Sequence, residues 1–248
     1  MSGEAAVRLD RVSKSFDGRR VLDGVSFEVG RGRAFCLLGR SGTGKSVTLK
    51  HIVGLVRPDS GHVFVEGHDV PSLGRRELSA VRRRIGFLFQ AAALFDSISV
   101  GENVAFPLRR HTALSGVEIR ERAMARLADV GLEGEYDKMP GALSGGMRKR
   151  AGLARAMVLD PAVLLVDEPS AGLDPMTSEE IDRLLIERKE RDKVTLVVVT
   201  HNIPSARAIG DELAVLHDGR IIARGTAGEL ERSEHEMVRV FMRSQAGG

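Results

Sequence analysis

The chain has 248 residues, of which 42% are hydrophobic and 29% charged, so it has enough apolar material to bury the core of one large α/β domain. A net charge of +3 hints at an anionic partner but is too small to choose among a nucleotide, a nucleic acid and a membrane surface. The aromatic content of 4%, with no tryptophan, argues against a protein that stacks exposed bases, and the single cysteine excludes a disulfide within the chain.

The ends of the chain and its apolar segments bear on membrane insertion. The N-terminal residues are polar and charged, so we expect no signal peptide. No apolar stretch approaches the roughly 20 residues of a membrane-spanning helix, so we expect that the chain itself does not cross a membrane. Cys36 lies in an apolar run, where we expect it to be packed in the core.

The first third of the chain alternates between strand-like and loop-like segments. Alternating apolar and polar residues predict antiparallel strands, and a short wholly apolar run predicts a strand buried on both faces. A change to helical spacing predicts a helix after a glycine-rich loop. In chain order, we predict strands at 7–16 and 21–29 around the Asp17-Gly18 turn, a strand at 33–38, the loop at 39–44, a helix at 45–55, and strands at 62–66 and 85–90.

The character of the sequence changes at about residue 91, where helical patterns replace strands as far as residue 160. We expect this helical insertion to be broken at Pro107, Gly131 and Pro140-Gly141, because proline and glycine interrupt helices. The remaining predicted elements are strands at 162–166 and 194–200 around a helix at 178–191, a hairpin at 213–217 and 220–224 around Asp218-Gly219, a last helix at 227–241 and a frayed end at 245–248.

The glycine-rich loop matches the phosphate-loop pattern G-x-x-x-x-G-K-[ST] in full, between a predicted buried strand and a predicted helix. The matching residues are Gly39, Arg40, Ser41, Gly42, Thr43, Gly44, Lys45 and Ser46, and Val47 continues the segment. Glycines let the backbone wrap closely, so that amide N–H groups and the helix N-terminus face phosphate oxygens. We expect Lys45 to reach the β- and γ-phosphates of a nucleotide and the Ser46 hydroxyl to bind Mg²⁺. A chance glycine-rich turn would not combine strand, loop and helix.

Two adjacent carboxylates follow the apolar run 164–166. Asp167 and Glu168 stand at the carboxyl end of a predicted buried strand, where ligands lie in open α/β sheets. We expect Asp167 to hold Mg²⁺, directly or through water, and Glu168 to orient and polarise an attacking water. Without the phosphate loop upstream, a solvated strand end or a helix cap would explain both residues equally well.

A second glycine motif, Leu-Ser-Gly-Gly-Met at 143–147, precedes a basic helix. Ser144, Gly145 and Gly146 offer a hydroxyl and free amides at a helix N-terminus, which can bind a γ-phosphate. Ser144 as a plain helix cap is the simpler interpretation, and the two are compatible. Phosphate-loop kinases and GTPases lack this motif.

Together the three motifs resemble the nucleotide-binding domain of ABC transporters, and the resemblance covers almost the whole chain. It implies that Gln90 is the glutamine that touches Mg²⁺ and senses the membrane partner, and that 170–174, ending in Asp174, is the D-loop. It implies that His201 contacts the γ-phosphate and that Phe16 stacks on adenine, where tyrosine is commoner. Taken singly, these residues would be a solvated glutamine, a capping or packing histidine and a core phenylalanine.

The resemblance implies an α/β fold with a RecA-like phosphate-loop core, an antiparallel β-subdomain and an inserted helical subdomain. The expected boundaries are 1–90 for the first part of the core with the β-subdomain, 91–160 for the helical subdomain, 161–225 for the second part of the core and 226–248 for a C-terminal helix and tail.

It also implies a homodimer arranged head to tail around two ATP molecules. Each site would pair the 39–46 loop of one chain with Ser144 and its neighbours on the other, so that ATP joins the halves and hydrolysis releases them. The membrane permease would be formed by separate subunits, with this chain on the cytoplasmic face of the inner membrane. We expect no nucleic-acid partner.

Three segments point further, to a subfamily. Residues 143–150 read Leu-Ser-Gly-Gly-Met-Arg-Lys-Arg, with Met147 where glutamine is commoner; 88–95 read Leu-Phe-Gln-Ala-Ala-Ala-Leu-Phe; and 103–109 read Asn-Val-Ala-Phe-Pro-Leu-Arg. They resemble the ATPases of Mce-associated, Mla-type transporters. This resemblance implies phospholipid as cargo, an Mce-type lipid-binding protein as a partner, and 91–93 as part of the groove for the permease. Family members often extend the C-terminal tail over the neighbouring subunit, a contact that we expect to be missing after Phe241.

The alternatives are the ATPase of a small-solute importer, such as an amino-acid system, and a soluble ABC ATPase acting on nucleic acid or ribosomes. Proteins of the latter kind usually carry two cassettes or a long coiled-coil insertion.

Two basic clusters remain. We interpret 82–84 as a solvated helix face, and 148–150, beside the second glycine motif, as helping to hold phosphate.

Overall fold

The computed structural model describes residues 5–243, so the frayed end predicted at 245–248 lies outside the described residues. In chain order the strands are β1 (Ala5–Phe16), β2 (Arg19–Gly30), β3 (Ala34–Leu38), β4 (Ser60–Val65), β5 (His68–Asp69), β6 (Ile85–Leu88), β7 (Val163–Asp167), β8 (Thr195–Thr200), β9 (Glu212–His217) and β10 (Arg220–Gly225). The helices are α1 (Lys45–Ile52), α2 (Arg75–Arg83), α3 (Val100–His111), α4 (Gly116–Ala128), α5 (Gly145–Met157), α6 (Pro175–Asp192), α7 (Ile203–Ile209), α8 (Ala227–Glu231) and α9 (Glu236–Arg243).

The strands form two sheets. The first is antiparallel, in the order β2-β1-β4-β5, and the second has the order β10-β9-β3-β8-β7-β6. Within the second sheet β9, β3, β8, β7 and β6 run parallel, and β10 is an antiparallel edge strand. Because parallel strands end at the same edge, the residues that follow β3, β6, β7 and β8 are brought together there.

The central strands of the second sheet are buried on both faces, as their unbroken apolar runs predict. In β3, Ala34, Cys36 and Leu38 pack in a core shared with the helices α3 to α7. Phe35 and Leu37 point to the other face and pack in a second core with α1 and the antiparallel sheet. Burial raises the pKa of the Cys36 thiol. The sheet is therefore a fixed platform between two cores, and the predicted α/β fold is confirmed.

Helices α3, α4 and α5 lie between β6 and β7 in the chain, where the helical insertion was predicted. The predicted break at Pro107 is wrong, because α3 continues through this residue. An interior proline costs a helix about 3 kcal/mol, and the buried side chains of Val104, Ala105 and Leu108 offset that cost. The Ser99 hydroxyl also caps the helix by accepting a bond from the Glu102 amide.

The last predicted helix is two helices, α8 and α9, so the prediction of one helix over 227–241 is wrong. The chain turns between them, where the Ser233 hydroxyl accepts a bond from the His235 amide and Arg239 donates to the Ser233 carbonyl. The turn lets α9 bury Val238 and Met242. No helix within residues 5–243 is both long enough and apolar enough to cross a bilayer.

Candidate nucleotide-binding and catalytic site

The phosphate loop joins the end of β3 to α1 and is held close to the neighbouring strand. A Cβ atom on Gly39 would lie 2.6 Å from the Leu216 carbonyl oxygen, and Gly44 has φ of 104°, so both positions require glycine. Lys45 is only 5% exposed, and its ammonium donates to the Gly39 and Arg40 carbonyls at 2.8 and 3.1 Å. The loop thus folds around the lysine that the sequence predicts to bind phosphate.

Asp167 joins β7 to the phosphate loop, because its Oδ1 accepts a hydrogen bond of 2.9 Å from the Ser46 hydroxyl. Its carboxylate is buried, and burial raises its pKa. Two of the three residues predicted to bind Mg²⁺, Ser46 and Asp167, therefore meet at the carboxyl edge of the sheet although 121 positions separate them in the sequence.

Glu168 lies in the left-handed region with φ of 48°, which non-glycine residues rarely adopt. One carboxylate oxygen, Oε1, is 3.3 Å from the Lys45 ammonium. The other, Oε2, is 2.8 Å from His201 Nδ1 and accepts bonds of 3.2 Å from the Thr200 hydroxyl and the His201 amide. The sequence analysis missed Thr200, whose role depends on β8 lying beside β7 in the sheet.

Gln90 is exposed two residues beyond β6, and the turn that follows it is strained. Ala92 and Ala93 both lie in the left-handed region, with φ of 61° and 49°. The Arg155 guanidinium of α5 donates to the carbonyls of both alanines, at 2.6 and 2.7 Å. Burial lowers the pKa of Arg155. Arg155, which the sequence analysis did not single out, therefore fixes the turn beside Gln90.

Ser144 and Asp174 begin neighbouring helices. Ser144 caps α5 by accepting a bond of 3.2 Å from the Met147 amide, and Asp174 caps α6 through the Thr177 amide and hydroxyl. A Cβ atom on Gly146 would lie 2.4 Å from the Thr177 methyl group, so the two helix starts are in close contact. Both capping residues are exposed, and among residues 5–243 neither is bonded to the phosphate loop of its own chain.

Both basic clusters contact main-chain carbonyls. Arg82 donates to the Val53 and Gly54 carbonyls after α1, so the prediction of a solvated face is wrong for this residue. In the second cluster Arg148 donates to the Leu143 carbonyl, and the side chain of Lys149 is buried and donates to the Glu168 and Pro169 carbonyls.

A cavity of about 680 Å³ lies beside the phosphate loop. Residues 40–43 of the loop line one side, the start of β2 at Arg19 and Arg20 lines another, and the turn at His217-Asp218-Gly219 closes it. Phe16 stands opposite Arg19 at the end of β1, is 42% exposed and has the Lys14 ammonium 5.4 Å from its ring centre. An exposed ring at this position is available to a planar ligand.

The residues present fit Mg²⁺ bound together with a nucleotide. Magnesium takes oxygen ligands and is usually held by one or two protein groups plus phosphates and water. Ser46 and Asp167 supply a hydroxyl and a carboxylate, and Gln90 carries a side-chain carbonyl. Within residues 5–243 there is no cluster of three or more histidine, cysteine, aspartate or glutamate side chains that would hold a metal without a ligand.

The chain has many relatives of known name. Residues 22–171 match the family model described as ABC transporter. The chain is 41% identical over 243 residues to the "Probable ribonucleotide transport ATP-binding protein mkl" of Mycobacterium tuberculosis, covering 98% of this chain and 68% of that protein. It is 39% identical over 237 residues to the "Intermembrane phospholipid transport system ATP-binding protein MlaF" of Escherichia coli, covering 96% of this chain and 88% of that protein.

Solved structures agree with this assignment. A dimeric ATP-binding cassette named MJ0796, in a post-hydrolysis state with ADP and Pi, matches with a TM-score of 0.83 and 35% identity over 89% of this chain and 98% of its own. Clostridium perfringens cbiO1, part of an ABC transporter complex, matches with a TM-score of 0.84 and 31% identity over 97% and 96% of the two chains. This chain therefore belongs to the ABC transporter family and is an ATP-binding, ATP-hydrolysing subunit of such a transporter.

Proposed function

We propose that two copies of this chain bind two ATP molecules head to tail and drive a phospholipid transporter of the inner membrane. The observation that carries the catalytic part is the pair of contacts that join the phosphate loop to the β7 carboxylates: Ser46 to Asp167 at 2.9 Å and Lys45 to Glu168 at 3.3 Å. These contacts support the proposal that phosphate-binding and water-activating groups act side by side.

Glu168 is the general base. When Lys45 turns from Glu168 Oε1 to the β- and γ-phosphates, Oε1 becomes free to accept a proton from water, while Thr200 and His201 keep Oε2 in place. The water oxygen attacks the γ-phosphorus, the bond from this phosphorus to the bridging oxygen breaks, and ADP leaves with that oxygen. His201, half-exposed on the same carboxylate, contacts the γ-phosphate.

Ser46, Asp167 and Gln90 hold Mg²⁺, which neutralises charge on the β- and γ-phosphates when it is bound. The loop amides and residues 39–47 hold the phosphates. Phe16 stacks on adenine without the hydrogen bond that a tyrosine would offer.

The second half of each site comes from the partner chain. Ser144, Gly145, Gly146 and Asp174 are presented at two adjoining helix starts, where free amides and the positive end of the α5 dipole suit a γ-phosphate. The solved relative MJ0796 is a dimer in its nucleotide-bound state. Ser144 and Asp174 are exposed, and their bonds to Met147 and Thr177 stay within their own helix starts, which supports a role toward the other chain.

A groove beside Gln90 receives the permease. This groove, called the coupling groove below, has a volume of about 570 Å³ and is lined by the stacked rings of Phe87 and Phe89 and by Phe95 and Phe106. Phe95 and Phe106 are each 46% exposed, which is unusual for phenylalanine unless a partner covers it. Ala93 of the strained turn at 92–93 lines the groove, so a bound permease segment presses on the loop that carries Gln90.

The dimer can be tested by complementation. A Lys45→Ala chain and a Ser144→Arg chain should each be inactive alone, and mixing them should restore ATP hydrolysis, because one site of each mixed dimer is assembled from intact halves. Labelled chains would show that mixed dimers form. Formation of mixed dimers without any recovery of activity would contradict the shared site.

The cargo assignment depends on the MlaF relatives and on the resemblance of the segments around Gln90 and Ser144. The mycobacterial relatives carry a different cargo, ribonucleotide, in their description. The test is to recover the chain with its partners from detergent-solubilised membranes and to analyse bound lipid. An Mce-type partner with phospholipid is the expected result. A small-solute permease with a periplasmic binding protein would overturn the lipid proposal and leave the ATPase assignment intact.

A further inference from the structure

Lys149 lies in the second turn of α5, and its side chain is only 5% exposed although lysine is rarely buried. Its ammonium donates to the carbonyl of Glu168 at 2.8 Å and to that of Pro169 at 2.7 Å. These carbonyls belong to the proposed general base and to the residue after it. General-base catalysis uses the Glu168 carboxylate, so it does not by itself explain why Lys149 bonds to the main-chain carbonyls.

The two bonds fix the carbonyls firmly. Among the described residues, Lys149 forms no ion pair with a carboxylate group within 4.0 Å, so the carbonyls are its direct partners. Moving either carbonyl away would leave the buried Lys149 ammonium without one of its hydrogen-bond acceptors, which costs free energy. Burial lowers the pKa of Lys149 to about 8, while the nearby charges of Glu168 and Asp167 act in the opposite direction.

The carbonyls lie in a strained turn that aims the Glu168 carboxylate. Glu168 is in the left-handed region, its amide donates to the Val199 carbonyl at 2.9 Å, and its carbonyl also accepts from the Ala171 amide at 3.2 Å. A strained conformation persists only when its surroundings over-determine it. Lys149 supplies a contact from α5, whereas Val199 of β8 and Ala171 of the turn itself supply the others.

We infer that Lys149 is a positioning residue for the ATPase reaction: it holds the Glu168–Pro169 carbonyls so that the Glu168 carboxylate of the same chain stays aimed at the attacking water. This inference rests on the proposed role of Glu168. Because α5 begins at Ser144, which we propose contacts the nucleotide of the other site, Lys149 also connects that helix directly to the base of its own site. Lys149 is five positions after Ser144, a rise of about 7.5 Å along the helix.

The test begins with Lys149→Met, which keeps an unbranched side chain and removes the donors. We expect kcat for ATP to fall about tenfold to a hundredfold, as when a positioned base is misaligned, with KM changed less than about threefold because the phosphate loop is intact. Lys149→Arg, which can donate to both carbonyls, should recover most of the loss. A Lys149→Met enzyme with the kcat of the unmodified protein would overturn the inference.

A matched control is Lys189→Met, which removes a lysine that pairs with Asp211 away from the site. Its kcat should be unchanged. If Lys149→Met does not fold, Lys149→Gln, a donor that is one bond shorter, replaces it, and we expect a loss of about threefold to tenfold. An unchanged kcat in Lys149→Gln would then overturn the inference.

Mixed dimers show which Glu168 is positioned. In the first, Lys149→Met and Glu168→Gln are on the same chain, so the other chain keeps an intact base and lysine; in the second, they are on opposite chains. We expect the first dimer to hydrolyse ATP like a dimer with Glu168→Gln alone on one chain, and the second to be slower by the Lys149→Met factor. Equal rates of ATP hydrolysis in the two mixed dimers would show that Lys149 does not position the Glu168 of its own chain. If Glu168→Gln has normal turnover, the proposed function fails instead.

Discussion

The nucleotide edge of the sheet and the coupling groove differ in how their polar groups are paired. At the nucleotide edge, Ser46 bonds to Asp167, Lys45 pairs with Glu168, and Glu168 accepts from His201. In the groove, Arg83, Arg110 and His111 are exposed. Partial burial lowers the pKa of His111, and the nearby charges of the two arginines lower it further. Among the described residues, the groove lining contains no aspartate or glutamate.

The difference indicates what each region requires from outside the chain. We propose that the nucleotide edge assembles its catalytic groups from a single chain and takes the second glycine motif and Asp174 from its partner. The groove combines exposed phenylalanines with unneutralised positive charge, so we expect its complement to be an apolar segment with acidic residues on another subunit. The comparison can be sharpened by changing each region separately.

Glu168→Gln breaks the nucleotide edge most directly. Loss of a general base typically lowers the rate about 10²–10⁴-fold, and ATP binding should persist because the phosphate loop is unchanged. Steady-state kinetics and nucleotide-binding measurements check this, and the variant should accumulate as a closed dimer with ATP. Glu187→Gln, an exposed glutamate on α6, is the matched control. Turnover near that of the control would contradict the assignment.

Reversing charge in the groove should leave the nucleotide edge intact. Arg83→Glu with Arg110→Glu places like charge against an acidic permease segment, which costs several kcal/mol, so we expect association to weaken about a hundredfold. ATP hydrolysis by the isolated ATPase should not change. Binding to the detergent-solubilised permease measures the effect, with Arg57→Glu plus Arg183→Glu as the control for net charge. Equal binding by both variants would argue against an acidic complement.

Phe16→Ala tests the proposed stacking of adenine on the exposed Phe16 ring. Stacking of a base on an aromatic ring contributes about 1–3 kcal/mol, so we expect KM for ATP to rise about tenfold with little change in kcat. Phe16→Tyr keeps the ring and should bind ATP at least as tightly as the unmodified chain. If KM stays the same in Phe16→Ala, adenine is held elsewhere.

Arg155→Met has the smallest expected effect on hydrolysis. It probes the turn at 92–93, which follows Gln90 and lines the coupling groove through Ala93. Hydrogen bonds to charged groups contribute about 1.5–3 kcal/mol to stability, so the free energy of unfolding should fall by about that amount as the 92–93 turn loosens. Turnover of the isolated ATPase should stay within about threefold, while stimulation by the permease should be lost. Arg122→Met on the exposed face of α4 is the control. Normal stimulation would show that the turn does not transmit binding.

The sequence predicted the phosphate loop, the β7 carboxylates and the positions of most strands along the chain, because each depends on neighbours within a few residues. It failed at Pro107 and at the last helix. In both cases apolar burial supplied by distant elements outweighs the local signal: Val104 and Leu108 stabilise a helix through a proline, and Val238 is buried only because the chain turns after α8.

The sequence alone determined which chemistry this chain carries, since the glycine spacing of 39–46, the apolar run before Asp167 and the motif at Ser144 are local patterns with local physical causes. The tertiary structure alone decided which atoms meet. Thr200 and His201 reach Glu168 because β8 lies beside β7, Arg155 reaches the turn after Gln90 from a helix more than sixty residues away, and Lys149 is buried against the Glu168 carbonyl instead of lying on a solvated face. Such contacts depend on strand order and helix packing, which no short stretch of sequence specifies.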